Sequence, residues 1–133
     1  MSSVPFLSEG WVALHERAGS ALPVRPGATA RLQHVVSGAP DGEAAYRIDF
    51  VDGRIVAGHV GRDDAAADCT FLVTFDDAVR IARGEMDLHV GFMQGRVKMS
   101  GAGGPFLDVL PCTQSPEFRT LVAEVAAATS FPA

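Results

Sequence analysis

The feature that most constrains the fold is an alternation of apolar and polar side chains with period two, which begins at Thr29 and returns twice before His59. The turn sequence GAPDG at residues 38–42 and the pair Asp52 and Gly53 divide it into three stretches. Period two is typical of a strand with one buried face, and an Asp-Gly pair favours a two-residue hairpin because both residues tolerate positive φ. We therefore predict three consecutive antiparallel strands, each with one face that other elements must cover.

Two later segments carry the same strand pattern. Residues 69–75, CTFLVTF, place large apolar side chains at every second position. Residues 96–100, RVKMS, alternate in the same way, with Val97 and Met99 on one side. These segments predict a fourth and a fifth strand, the fourth following a polar connector over residues 61–68.

Apolar residues recur at helical spacing in the segments between and around these strands. Ser8 can cap an amphipathic first helix, and Ser115 followed by a proline is a typical start for an amphipathic last helix. Either Asp76 or Asp77 can cap a helix after the fourth strand. A further short helix is predicted over residues 86–93.

The order of these segments is helix, three strands, a crossover, strand, helices, strand and helix. An amphipathic helix and a half-buried sheet cover their apolar sides by packing together, so the economical fold gathers the helices on one face of the sheet. We predict an α+β fold with a five-stranded, mostly antiparallel sheet covered on one face by helices. No repeat or linker divides the 133 residues, so residues 1–133 are expected to form a single domain.

Charge and composition argue against several classes of function. The net charge of −5 and the scattered basic residues argue against a nucleic-acid partner. Although 47% of the residues are hydrophobic, no uninterrupted apolar run approaches the roughly 20 residues that a membrane span needs. The first residues lack the basic flank and the long apolar block of a signal peptide, so we expect a cytoplasmic protein.

The sequence holds no residue set with catalytic or metal-ligating spacing. The four histidines lie in different predicted elements, and the adjacent aspartate pairs suit capping or solvation better than acid–base catalysis. No nucleophile elbow or P-loop is present, and GAGGP lacks the strand and helix context of a dinucleotide site. Cys69 and Cys112 are expected to be buried thiols. We therefore expect no metal, no cofactor and no enzymatic activity.

The most unusual stretch is the methionine-rich segment, residues 84–101, GEMDLHVGFMQGRVKMSG. It combines three methionines with other large apolar residues and four glycines. Methionine is unbranched and polarizable, so such a segment can adapt its shape to different ligands. Ordinary core packing accounts for the same composition, and the pattern alone does not separate these two interpretations.

Residues 67–101 resemble the sterol carrier protein family, the non-specific lipid-transfer domain also found fused to peroxisomal multifunctional enzymes. The resemblance rests on six short motifs that follow one another in the family's order. They are ADCT at residues 67–70, the pair Asp76 and Asp77, the pair Arg83 and Gly84, the pair Met86 and Asp87, GFMQG at 91–95, and RVKMSG at 96–101. The order of elements over residues 8–125 is also similar to that family's fold, a five-stranded sheet covered by helices.

The resemblance implies a non-catalytic carrier of an apolar lipid-like molecule, which is a sterol, a fatty acid or an acyl-CoA ester. The ligand would lie in a cavity between the sheet and the helices. Transient contact with a membrane and dimerisation stay open. The residues expected to line the site are Phe75, Met86, Leu88, Phe92, Met93, Gln94, Val97, Met99, Phe106, Leu110, Phe118, Leu121 and Val122.

Two other functions stay open at this point. A small enzyme acting on an apolar, steroid-like substrate would need an acidic residue or a histidine at the rim of its pocket. A dimerisation module with a closed core would use the same apolar residues for packing alone. Saturable binding of a lipid separates the carrier from the closed module.

Overall fold

The computed structural model describes residues 3–132, which contain five α-helices and seven strands. The helices are α1 (Glu9–Gly19), α2 (Phe75–Ala82), α3 (Leu88–Met93), α4 (Gly103–Thr113) and α5 (Pro116–Ala127). The strands are β1 (Val4–Pro5), β2 (Ala30–Ala39), β3 (Gly42–Val51), β4 (Arg54–Val60), β5 (Cys69–Thr74), β6 (Lys98–Gly101) and β7 (Thr129–Ser130). None of the helices among these residues is long and apolar enough to cross a membrane.

Five strands form one mixed sheet in the order β4-β3-β2-β5-β6. The neighbours pair antiparallel except β2 and β5, which are parallel. The hairpin between β3 and β4 turns at Asp52 and Gly53, with φ values of 48° and 86°. Both lie in the left-handed region that a two-residue hairpin requires. The predicted α+β fold, a mostly antiparallel five-stranded sheet with its helices on one face, is confirmed.

Serine side chains begin the first and last helices, as predicted. Ser8 Oγ accepts a hydrogen bond from the Trp11 N–H at 3.2 Å, and Ser115 Oγ accepts one from the Phe118 N–H at 3.2 Å. These bonds satisfy amide donors that have no partner within a helix.

The prediction that Asp76 or Asp77 caps α2 is wrong. The cap is Thr74, the last residue of β5, whose Oγ1 accepts a hydrogen bond from the Asp77 N–H at 3.3 Å. Because Thr74 is already extended at the end of a strand, the chain passes directly from strand into helix. The two aspartates therefore lie in the first turn, where the helix dipole favours negative charge.

Helix α4 was not predicted from the sequence. Its first residues are two glycines and Pro105, which read as a loop, and Pro111 lies near its end. A proline in the first turn loses nothing, because the amide hydrogens there have no intrahelical partner. The apolar residues Phe106 and Val109 are buried and hold this helix against the core.

Helix α1 lies directly on β4 because two glycines allow close approach. A Cβ atom on Gly19 would stand 2.3 Å from the Ile55 Cβ, and one on Gly58 would stand 2.5 Å from the Val12 Cγ1. Real Cβ atoms do not reach such distances, so any larger residue would push the helix away. The close contact of α1 with β4 therefore requires glycine at both positions.

The connector over residues 61–68 crosses the sheet face opposite the helices and is fixed there by Gln33. The Gln33 Nε2 donates to Asp64 Oδ1 at 2.8 Å and to Thr70 Oγ1 at 3.0 Å, and its Oε1 accepts from the Asp63 N–H at 2.6 Å. This buried amide has its hydrogen bonds satisfied, which makes its burial tolerable.

Two short strands, β1 and β7, pair in parallel and bring the two ends of the described chain together. Phe6, next to β1, packs at 5.0 Å from the Trp11 ring centroid and 5.8 Å from that of Phe75. The two cysteines are buried and free, as predicted. Burial raises the pKa of Cys69 to about 11, with a smaller contribution from Asp68, so this side chain is a thiol at neutral pH.

Candidate ligand-binding cavity

A cavity of about 550 Å³ lies between the sheet and the helices. Its volume is within the range of about 300–1,000 Å³ that is usual for small-molecule sites. The sheet forms its floor with side chains from four strands, namely Leu32, His34, Tyr46, Ile48, Phe50, Ile55 and Val73. These residues share one face of the sheet because alternate positions along each strand point the same way.

The helices and the loop after α2 form the walls and roof. Helix α1 contributes Trp11 and His15, and the other elements contribute mainly apolar side chains. Those side chains are Ala78, Ile81, Ala82, Met86, Leu88, Phe106, Phe118, Val122 and Val125. Most of the lining is therefore apolar, as a site for a hydrocarbon ligand requires.

Exposed members of the lining mark the rim of the cavity. They are Arg83, Gly84, Asp87, Arg119 and Ala123, from the segment after α2 and from α5. The Arg83 guanidinium lies 4.8 Å from the centroid of the Phe131 ring. With two arginines and one aspartate, the rim carries more positive than negative charge.

A second depression, about 660 Å³, lies on the outside between α1 and β4. It is shallow and open to solvent, and its lining includes the charged residues Glu16, Arg17 and Arg54. A surface of this kind suits an apolar guest poorly, so we regard the enclosed cavity as the candidate site.

Four polar aromatic residues meet at one part of the cavity lining, and we call Trp11, His15, His34 and Tyr46 the polar cluster. The His34 ring stacks on Tyr46 at 4.7 Å and on Phe71 at 5.4 Å between centroids. Trp11 packs edge-on against His15 at 4.4 Å and Tyr46 at 4.9 Å. The cluster joins α1 to β2 and β3.

Few hydrogen bonds satisfy the polar atoms of this cluster. His15 Nδ1 lies 3.0 Å from the Trp11 carbonyl oxygen and donates to it, which leaves Nε2 as an acceptor. The Trp11 Nε1–H is buried and has no acceptor within residues 3–132. The side-chain hydrogen bonds found there also include none from the Tyr46 hydroxyl or the His34 imidazole, although both residues line the cavity.

Burial keeps the titratable members of the polar cluster uncharged. It lowers the pKa of His34 to about 3, and the neighbouring His15 opposes protonation further. Burial also lowers the pKa of His15, with the hydrogen bond to Trp11 acting in the opposite direction, and it raises the pKa of Tyr46. At neutral pH the cluster therefore offers neutral hydrogen-bond donors and acceptors.

Five of the thirteen residues expected at the site line the cavity: Met86, Leu88, Phe106, Phe118 and Val122. The other eight lie outside its lining. Val97 and Leu121 are buried in the core, and Phe75, Met99 and Leu110 pack partly buried against it. Phe92, Met93 and Gln94 are exposed, with Met93 79% accessible to solvent. A ligand contact remains a prediction for each of the thirteen.

Sequence reasoning missed the polar cluster and most of the floor. The sequence held part of the signal. The alternation predicts that Leu32 and His34 share one face of their strand, and that Tyr46, Ile48 and Phe50 share one face of the next strand. It did not show that these faces adjoin a cavity. Among residues 3–132, no group of three or more histidines, cysteines or carboxylates could hold a metal ion.

The fold and cavity together define a small α+β binding domain in which helices cover a sheet around an apolar interior. Residues 14–103, more than half of the chain, match the model of the SCP-2 sterol transfer family. The chain therefore belongs to the SCP-2 sterol transfer family, whose members are in general lipid-binding or lipid-transfer domains. A search of curated protein sequences gave no match.

Solved structures share the fold at low sequence identity. A crystal structure of sterol carrier protein 2 is 15% identical, with a TM-score of 0.67 over 94% of this chain and 99% of that one. The sterol carrier protein domain 2 of Helicoverpa armigera is 21% identical, with a TM-score of 0.58 over 93% and 95%. Palmitated SCP2L2 of Aedes aegypti is 16% identical, with a TM-score of 0.54 over 86% and 94%.

Proposed function

We propose that residues 1–133 act as a single, non-catalytic carrier domain that binds one apolar lipid-like molecule in the cavity, in the cytoplasm. The observation that carries this proposal is the cavity of about 550 Å³ lined mainly by aliphatic and aromatic side chains. A sterol, a fatty acid and an acyl-CoA ester are the candidate ligands. The palmitated relative supports an acyl chain as one guest of this fold.

Hydrocarbon burial supplies the binding energy in this proposal. Each methylene group removed from water contributes about 0.8 kcal/mol, so ten of them contribute roughly 8 kcal/mol before the costs of ordering. No polar motif is needed for affinity of that size. An ionised head group would remain at the rim, where Arg83 and Arg119 are exposed and attract a carboxylate, a phosphate or an anionic membrane surface.

The two alternatives receive less support. An enzyme of the steroid-isomerase kind needs a base, and His34, with a pKa of about 3, is a weak one at neutral pH. Asp87 is the acidic residue of the described lining, and it lies at the exposed rim. A closed-core dimerisation module does not need a cavity, because dense packing of the interior is more stable.

The test is a titration of the purified protein with a fluorescent fatty acid and a fluorescent sterol, together with native mass spectrometry for co-purifying lipid. Val73 and Leu72 provide a matched pair of variants on β5. Val73 is 6% exposed and lines the cavity, whereas Leu72 is 42% exposed. We expect Val73→Phe to fill part of the cavity and weaken binding at least about tenfold, and Leu72→Phe to bind like the wild type. Absence of saturable binding by the folded wild type contradicts the proposal.

A further inference from the structure

The polar cluster gives the cavity a chemical preference that hydrocarbon burial does not explain. We infer that His15, His34 and Tyr46, which Trp11 joins by packing on His15 and Tyr46, form a subsite for an uncharged oxygen function of the bound lipid, above all a hydroxyl. This inference rests on the proposed function, because it names the class of lipid that the same cavity prefers. That class is lipids with a buried neutral hydroxyl.

Residues from three elements converge on one part of the cavity. Trp11 and His15 come from α1, His34 from β2 and Tyr46 from β3, and all four line the same cavity. Their ring centroids are linked by distances of 4.4, 4.9 and 4.7 Å from His15 through Trp11 and Tyr46 to His34. A single ligand atom group placed beside these rings can therefore reach more than one of them.

Several polar groups of the cluster have no hydrogen-bond partner within the described residues. A buried donor without an acceptor costs free energy, and most buried polar groups in proteins have a partner. Here the Trp11 Nε1–H lacks an acceptor among residues 3–132, but its nitrogen is too deeply buried to face the cavity. The Tyr46 hydroxyl and the His34 imidazole line an otherwise mostly apolar space and have no side-chain hydrogen bond among the same residues. If the cavity needed only hydrocarbon contacts, phenylalanine and leucine would serve at positions 46 and 34.

Donors and acceptors at the cavity surface match a hydroxyl. His15 Nε2 can only accept while Nδ1 donates to the Trp11 carbonyl. Tyr46 and neutral His34 can both donate and accept. A ligand hydroxyl also donates once and accepts twice, so it can bond to both kinds of partner. A ketone oxygen can only accept and satisfies fewer of them.

The distribution of charge in the lining also favours a neutral group beside the polar cluster. The arginines among the described lining residues are Arg83 and Arg119, and both belong to the exposed rim. A carboxylate beside the polar cluster would thus be buried without a cation, which is strongly unfavourable. An ionised head group is directed to the rim instead, where it leaves the cluster unsatisfied. The burial that keeps His15, His34 and Tyr46 neutral is consistent with this assignment.

The experiment compares three guests of equal chain length: lauryl alcohol, laurate and dodecane. Each displaces the neutral fluorophore aminoanthracene from the wild-type protein at neutral pH. We expect lauryl alcohol to bind about tenfold more tightly than laurate or dodecane, as one or two additional hydrogen bonds would give. The single tryptophan provides a nearby reporter, because its ring packs on His15 and Tyr46 and its indole N–H gives one peak in a proton–nitrogen correlation spectrum. We expect that peak to shift with lauryl alcohol more than with dodecane.

Variants distinguish a binding role from a structural one. Tyr46→Phe removes one oxygen atom, and His34→Phe keeps a ring in the stack between Tyr46 and Phe71. Each should weaken lauryl alcohol about three- to tenfold and leave dodecane unchanged. Thr120→Val is the control, since it removes a hydroxyl outside the cavity lining that already donates to the Pro116 carbonyl oxygen. It should leave the ratio of the two affinities at the wild-type value.

Failure of the inference is distinguishable from failure of the carrier function. Equal affinities for the three guests, with an unmoved indole peak, would overturn the polar subsite and leave the carrier function standing. Equal loss of lauryl alcohol and dodecane in Tyr46→Phe and His34→Phe would assign the cluster a packing role only. If none of the guests displaces the fluorophore, and the fluorescent fatty acid and sterol also show no saturable binding to the folded protein, both proposals are wrong.

Discussion

The methionine-rich segment and the polar cluster contribute to the lining of the cavity in different ways. The segment concentrates soft apolar residues within residues 84–101, yet Met86 and Leu88 line the cavity while Met93 and Phe92 are exposed. The cluster draws its residues from three separate elements, and all of them line the cavity. The comparison teaches that convergence in space locates a site better than concentration in sequence.

The reason for the contrast is geometric. Helix α3 has six residues, so its side chains point around more than one full turn and only one side can face the interior. The strands that carry His34 and Tyr46 present alternate residues to one face, so neighbouring strands add to the same surface. The first prediction compares a rigid side of the molecule, at α1, with an adaptable side, at the methionine-rich segment. Two others concern that segment alone, and one concerns His34 of the polar cluster.

The largest expected effect separates two buried glycines. Gly19→Ala should reduce the free energy of unfolding by about 3 kcal/mol or more, because the new Cβ meets the branched Ile55 side chain at 2.3 Å and α1 must move. Gly91→Ala should cost less, about 1 kcal/mol, because the new Cβ would stand 3.0 Å from the buried Val97 Cγ2 and 3.3 Å from the flexible Met86 tip, while alanine favours the helix. Urea unfolding measures both. Equal costs would remove the distinction between a rigid and an adaptable side.

The second prediction divides the methionine-rich segment itself. Met86→Ala should cost about 2 kcal/mol, since Met86 is buried at the cavity wall. Met93→Ala, its matched control on the surface, should stay within about 0.5 kcal/mol of the wild type. Thermal unfolding of the two variants checks this order. A larger loss for Met93 would place it in a contact that the described residues do not show.

The third prediction concerns the loss of stability at low pH. His34 has a pKa of about 3 in the folded protein, below its ordinary value of 6.5, so the unfolded chain binds the proton first as the pH falls. Neutral His34 contributes its full stabilisation above the pKa that it has in the unfolded chain. This contribution is lost progressively as the pH falls towards the pKa of His34 in the folded protein. Between about pH 7 and about pH 5.5, the wild type should lose roughly 1 kcal/mol more stability than His34→Phe. Unfolding curves at the two pH values measure the difference, and parallel losses would contradict it.

The smallest effect is expected at an ion pair of the methionine-rich segment. Arg96 Nη1 lies 3.4 Å from Asp77 Oδ1, and Arg80 lies 3.6 Å from the same oxygen. Because Arg96 is about half exposed and Arg80 is a second partner, Arg96→Ala should cost less than about 1 kcal/mol. Lys98→Ala serves as the control for loss of a positive charge on the neighbouring strand. A cost above about 2 kcal/mol for Arg96→Ala alone would show that the pair fixes the segment.

Local patterns predicted the fold because side chains repeat every two residues along a strand and about every 3.6 residues along a helix. The alternation from Thr29 to His59 gave three strands, and Ser8 and Ser115 marked the helix starts that their hydroxyls cap. Failures came where local signals compete. Thr74 ends a strand and caps a helix at once, and the glycines before Pro105 hid α4.

The site was less predictable because a cavity is a property of distances between layers. No local period shows how far α5 stands from the floor at Leu32 or Phe50. The resemblance to the sterol carrier protein family directed attention to residues 67–101, where its motifs lie. The residues of the polar cluster lie outside that segment. Their contacts depend on the register of β2 with β3 and on the position of α1 against the sheet.

The walls of the cavity come from almost the whole chain, from Trp11 to Val125. No folding intermediate that lacks either end can therefore provide the complete binding surface. A guest that binds only the finished structure raises its stability by mass action, by about 2.7 kcal/mol at a free concentration one hundred times the dissociation constant. The supply of lipid would then raise the free energy of unfolding, and the melting temperature would report the fraction of the protein that has a bound ligand.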